Sequence, residues 1–248
     1  MQELQTPLAR ICAIVERLRD PVSGCEWDRV QTFATIAPYT IEEAYEVADA
    51  IARNDSAALK EELGDLLFQV VLHARIAEQA GQFSLDDVAE AIADKMERRH
   101  PHLFGGATVR PDWESMKAAE RADSNSALDG VALALPALMR ADKLQKRAAR
   151  TGFDWPDAEG PRDKIVEELV EIADAATDDA REDEVGDLLF AAVNLARHLK
   201  VDPEVALRRA NAKFEKRFRA IEAADGFAAL SLEEKEALWT AAKEAQRA

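Results

Sequence analysis

A chain of 248 residues, 48% hydrophobic and with a formal net charge of -16, has room for one large or two ordinary domains around a substantial core. That charge argues against broad binding to a nucleic-acid backbone, and no run of about 18 apolar residues offers a membrane span. Ten glycines, nine prolines and two tyrosines, in a sequence rich in Ala, Leu, Glu, Asp and Arg, favour helices over a sheet sandwich.

The opening stretch MQELQTPLARICAIVERLRD mixes charge throughout and does not read as a secretory signal. Cys12 and Cys25 are too few for a four-ligand zinc site or a disulfide framework. Two reduced thiols in a cytoplasmic protein are expected.

Trp27, in GCEWD, is the first marker of a pattern that returns later. IEEAYEVADAI follows, with Ile41, Ala44, Tyr45, Ala48 and Ile51 in helical rhythm. ARNDSAALK supplies an Asn-Asp turn signal. EELGDLLFQVVLHARIA then places Leu63, Leu66, Leu67, Val70, Val71 and Ala74 on one apolar stripe. The spacing predicts two antiparallel helices joined by a short loop. Gly64, beside the stripe, either permits close approach of a neighbouring helix or is simply tolerated there. ADKMERRH, from Ala93, is basic, and His100 and His102 flank a proline at its end as loop residues.

Each phrase is then written again. Trp155 in GFDWP answers Trp27 at an offset of 128, and VEELVEIADAA, from Val166, answers the first helix at 125. DEVGDLLFAAVNLARHL, from Asp183, answers the second at 122, and NAKFEKRF, from Asn211, answers ADKMERRH at 118. A shrinking offset is what slightly shorter loops in the second copy would produce. The fold class is therefore all-α, a tandem repeat of two helical-bundle domains at 1–122 and 130–248. Residues 123–129 form the linker, inside the polar stretch RADSNSALDG.

Residues three or four apart share a helix face. Glu43 and Glu46 project together from the first helix, and Glu62 and Asp65 border the apolar stripe of the second. The later copy repeats the set as Glu168, Glu171, Glu184 and Asp187, with Glu42, Glu61, Glu167 and Asp183 next in line. One such pair alone is usually a solvated acidic face. Four carboxylates aimed at one seam, twice over, repel one another unless a cation sits among them. An all-oxygen donor set suits a hard cation, Mg²⁺ or Mn²⁺. Di-iron bundles need Glu-x-x-His, and Asp65 and Asp187 hold that histidine's position here, so redox di-iron chemistry is disfavoured.

The pattern EExxE, a gap, then ExxD resembles the MazG family of nucleoside triphosphate pyrophosphohydrolases, within the all-α NTP pyrophosphatase superfamily. The gap is 15 residues from Glu46 to Glu62 and 12 from Glu171 to Glu184. GCEWDRVQT, RRHPHLFG and LARHL are further family-like phrases, and the tandem likeness covers essentially the whole chain. The resemblance implies hydrolysis of a nucleoside triphosphate between its α and β phosphates, giving a nucleoside monophosphate and pyrophosphate, with Mg²⁺ held by those acids. Two positions depart from the family's usual wording: Glu26 replaces a proline before Trp27, and Phe33 replaces a histidine after the Gln-Thr pair.

A triphosphate also calls for cationic donors. Lys213 and Arg217, four apart and near Asn211, fit phosphate oxygens, with Lys95 and Arg99 as the first-copy equivalents. Lys164, four before Glu168, either reaches phosphate or only pairs with that glutamate. Trp239 in the second copy and Trp113 in the first are candidate stacking surfaces for a base, or else core residues. Trp27 and Trp155, which precede the acidic helices, carry the same two readings, stacking surface or hydrophobic anchor. A glutamate not saturated by metal, Glu167 or Glu168, is the candidate to orient or deprotonate water. The tighter acidic loop and the basic group lean the activity toward the second copy. A site at a hairpin seam is often completed by a second chain, so a homodimer is expected. The alternatives are a non-catalytic helical module for nucleotide sensing or dimerisation, and a helical scaffold with acidic faces.

Overall fold

The computed structural model describes residues 6–106 and 126–246. They fall in two compact units, Met1–Arg121 and Ala122–Ala248. Every regular element among them is helical. No helix among the described residues is long and apolar enough to cross a membrane. Trp113, a candidate stacking residue, lies outside the described residues.

In the first unit α1 (Pro7–Leu18) begins where Thr6 accepts from the Ala9 amide and Pro7 presets the first turn. The short α2 (Glu26–Val30) carries Trp27 and leads into α3 (Phe33–Arg53), opened by a reciprocal Thr32–Thr35 capping box. The predicted Asn-Asp turn has a clear division of labour. Asn54 takes the left-handed conformation that ends α3 (φ 54°), and Asp55 caps α4 (Ser56–Gln79) by accepting from the amides of Ala57 and Ala58. α5 (Leu85–Arg99) and α6 (Pro101–Phe104) follow. The core gathers Val15, Ile36, Val71, Leu72 and Ile76, with Ile11, half-buried Cys12, Phe68 and Leu85 packed against it.

The second unit follows a similar order, without a counterpart of α2 among the described residues. α7 (Ala137–Ala149) precedes the loop that carries Trp155, and α8 (Glu159–Asp174) and α9 (Asp178–His198) form the hairpin. α10 (Pro203–Glu222), a 3₁₀ turn (Phe227–Ala229) and α11 (Leu232–Ala245) complete the unit.

The shorter spacing between acids in the second hairpin does not come from a shorter turn. The α3–α4 turn is Asn54 and Asp55, whereas the α8–α9 turn is Ala175–Thr177, one residue longer. Beyond the EExxE motif α3 runs 7 residues (53 minus 46) and α8 only 3 (174 minus 171). Four helical residues lost and one turn residue gained give the net three. α8 simply stops a turn earlier.

The apolar stripe of α4 is also divided. Val71 and Ala74 are buried, while Leu63, Leu67 and Val70 are 50%, 44% and 39% exposed. Every buried α4 residue lies from Gln69 onward, where α1 and α5 add their cover. Gly64 and its counterpart Gly186 face open space, so no close helix approach among the described residues depends on them.

Candidate active site

The hairpins bring the predicted carboxylates together. In the first unit Glu43, Glu62 and Asp65 each place an oxygen within 4.8 Å of the others, and in the second Glu168, Glu171 and Glu184 do the same. Glu46 stands beside the first set, close enough for its charge to act on both Glu43 and Glu62. Asp187, one helical turn beyond Glu184, lines a cavity together with Glu168.

Crowding has the expected electrostatic consequence. Desolvation and then the Asp65 and Glu46 charges push the Glu43 carboxyl above its usual range, and Glu62 is raised by desolvation, Glu46 and Asp65. Glu171 and Glu184 are raised in the same way, desolvation first, then Glu168 for the one and Glu171 for the other. Glu168 moves oppositely because Lys164 donates to it. The ammonium lies 2.8 Å from Glu168 Oε1 and 2.9 Å from Glu167 Oε1, so both roles foreseen for Lys164 begin from a pair with glutamate. At the 125-residue offset the first unit has Tyr39, whose ring meets Trp27 edge-on at 5.9 Å. The two acidic sets are thus alike, but only the second contains this lysine.

The residues fit a hard divalent cation. Glu168 is 3% exposed, and its Oε2 has no hydrogen-bond donor among the described residues. A buried anionic oxygen without a donor, facing two carboxyls that resist ionisation, is the condition a cation relieves. Carboxylate oxygens alone make a hard-ion donor set.

Beside this cluster the second unit holds a cavity of about 650 Å³, lined by Lys164, Glu168 and Asp187 and by apolar groups that include Phe153, Trp155 and Phe190. Trp155 therefore sits at the acids. Its indole lies so close to Gly160 that a Cβ there would fall 2.1 Å from the ring, so only glycine allows this placement at the start of α8. The neighbouring Asp154 is clamped by both terminal nitrogens of Arg197, one at 2.9 Å, and faces His198 at 3.2 Å. Asn194 Oδ1 accepts from the same guanidinium at 2.7 Å.

The Arg197 clamp holds the Asp154 carboxyl below the usual carboxylate range. Its stabilising effect is complete above the unfolded-state pKa and is lost as pH falls through the lower folded-state value. Wild type should therefore lose its stability advantage over Asp154→Asn below about pH 4. Melting curves of both proteins from pH 3 to 6, read by circular dichroism, check this.

The basic residues and Trp239 are placed differently. Asn211 and Lys213 are exposed on α10, and Arg217 packs 5.8 Å from the centre of the Trp239 ring while donating to Gln246 at 2.9 Å. Trp239 also meets Phe214 at 5.3 Å. These groups form an aromatic and cationic patch on α10 and α11 and do not line the cavity. In the first unit Lys95 is exposed and Arg99 half-buried near the end of α5. Phe33, which departs from the family's wording, stacks on His73 at 5.8 Å, and His73 is 2.9 Å from the Thr40 hydroxyl.

Some lining residues carry no signal in the sequence motifs. Gln145, Asp154, Asn194 and Arg197 reach the cavity from α7, a loop and the far half of α9. The repeat offers one hint: Gln145 is the single buried residue of α7, where α1 buries Val15.

Fold and site together define an all-helical protein built around paired carboxylate clusters at hairpin seams. Residues 31–104 match the MazG nucleotide pyrophosphohydrolase domain. The chain is 51% identical to the nucleoside triphosphate pyrophosphohydrolase of Escherichia coli K12, across 94% of this chain and 96% of that one. It is 45% identical to the nucleoside triphosphate pyrophosphohydrolase/pyrophosphatase MazG of Thermotoga maritima, over 90% and 88% of the two chains. It is also 36% identical to the Mycobacterium tuberculosis nucleoside triphosphate pyrophosphohydrolase, over 68% of this chain and 50% of that one. The chain belongs to the MazG nucleotide pyrophosphohydrolase family.

Proposed function

We propose that this protein is a cytoplasmic nucleoside triphosphate pyrophosphohydrolase of tandem two-domain form. It cleaves its substrate between the α and β phosphates to give a nucleoside monophosphate and pyrophosphate. The observation that carries the reading is the cluster of Glu168, Glu171 and Glu184, of which Glu168, together with Asp187, lines a cavity large enough for a nucleotide. Glu168, Glu171, Glu184 and Asp187 would hold Mg²⁺ or Mn²⁺, and Glu43, Glu46, Glu62 and Asp65 would form the equivalent set in the first unit. The bound cation supplies positive charge to the phosphate oxygens and to the departing pyrophosphate.

The chain's own groups do the rest. Lys164 is already paired with Glu167 and Glu168, and exchanges part of that pairing for a phosphate oxygen when substrate enters. Glu167 stands outside the cluster and is our assignment for the proton acceptor. Water oxygen bonds to phosphorus, the bond from that phosphorus to the bridging oxygen breaks, and the water proton passes to the Glu167 carboxylate. Lys213 and Arg217 serve the charged tail of the substrate from α10. Two chains pair as a homodimer through the uncovered faces of the hairpins.

Product analysis is the test. With Mg²⁺ present, each nucleoside triphosphate consumed yields one monophosphate and one pyrophosphate, and a chelator stops the release. Tight nucleotide binding with no pyrophosphate released would overturn the reaction and leave a binding module.

A further inference from the structure

The cavity of the second unit contains a polar group that the reaction does not use. Gln145 is 6% exposed, on the one buried position of α7. Its Nε2 donates to the Phe190 carbonyl of α9 at 2.8 Å, which fixes the orientation of the amide. Its Oε1 has no partner among the described residues. A buried carbonyl oxygen without a donor is costly, and a packed position of this kind is met by Val15 on the matching helix. Tying α7 to α9 uses the nitrogen alone. The oxygen is left to a molecule in the cavity, whose other walls include Trp155 and Phe190, surfaces suited to a flat ring.

Resting on the function proposed above, we infer that Gln145 is the specificity-determining residue of this site: its Oε1 accepts a hydrogen bond from an N–H on the edge of the nucleobase. Because Nε2 is committed to Phe190, the amide presents an acceptor and no donor to the base. Adenine and cytosine offer exocyclic amines, guanine an amine and a ring N–H, and uracil or thymine a ring N–H. A single fixed acceptor admits all of them. It rejects bases whose edge donors have been blocked.

The test compares equilibrium binding of α,β-methylene triphosphates, which resist cleavage, in the presence of Mn²⁺. The pairs are uridine against N3-methyluridine and adenosine against N6,N6-dimethyladenosine, each with wild type and Gln145→Leu. Wild type should lose about tenfold in affinity on methylation of either base. Gln145→Leu should bind the unmodified nucleotides about tenfold more weakly and show no further loss on methylation. Equal affinity of wild type for methylated and unmethylated bases, or an equal penalty in both proteins, overturns the assignment. The wild-type comparison needs no variant, so a poorly folding Gln145→Leu does not weaken it. Pyrophosphate release from UTP and ATP is read alongside. Absent release with the methylation penalty intact would overturn the reaction while supporting the role of Gln145.

Discussion

Glu171→Ala combined with Asp187→Ala lowers pyrophosphate release by about 10²- to 10³-fold, whereas Glu46→Ala with Asp65→Ala in the first unit lowers it by less than about threefold. The asymmetry rests on what surrounds two otherwise similar acidic sets. The second has Lys164 within 3 Å of Glu168 and a cavity at its side, and the matching first-unit position has Tyr39. Loss of activity through unfolding is distinguishable. Glu171 has a folded-state pKa above its usual range, so at neutral pH its ionised form is less comfortable in the folded protein than in the unfolded chain. Its removal should therefore raise the melting temperature in a chelator, even as activity disappears. The same change should abolish the rise in melting temperature that Mg²⁺ gives the second unit. Full turnover in the second-unit variant, or a larger loss in the first-unit variant, would move the active site to the other copy.

The placement of these acids was legible because it depends on local geometry. Helical spacing puts Glu168 and Glu171 on one face, and the following turn returns Glu184 to meet them. The turn between α3 and α4 was legible for the same reason, since Asn54 and Asp55 act on backbone groups within a few residues. The cavity wall was not. Gln145 and Arg197, 52 residues apart in sequence (197 minus 145), come to the cavity from two different helices, and no short-range pattern links them. Tryptophan illustrates the limit. Trp155 and Trp239 carry equal local signals, and only the close approach of Gly160 places Trp155 at the acids. Trp239 instead joins Phe214 and Arg217, at spacings that composition does not encode. The shorter second repeat was legible as a number, but its cause was the early end of α8, with a turn that is longer rather than shorter.

Leu169→Asp combined with Leu189→Asp converts the proposed homodimer to single chains, halving the particle mass in sedimentation or light scattering from twice 27.4 kDa. Val166, Leu169 and Val170 lie at i, i+3 and i+4 on α8 and are 62%, 54% and 55% exposed. Leu189, 53% exposed, continues the uncovered surface on α9. Ile41, Tyr45, Leu63 and Leu67 repeat it on the first hairpin, at 44% to 50% exposure. Covering each half-exposed side chain gains about 1 kcal/mol, and the same stripe on another chain is its natural complement across a two-fold axis. Two buried aspartates would leave unpaired charges in that interface. Because Glu168 adjoins Leu169 and Glu184 adjoins Val185 along their helices, uncovering the stripe also admits water next to the acids proposed as metal ligands. Turnover should therefore fall together with the mass, and wild-type melting should rise with protein concentration while the variant's does not. A wild-type particle of one chain's mass, melting independently of concentration, would overturn the dimer, and some other surface would then have to cover the stripe.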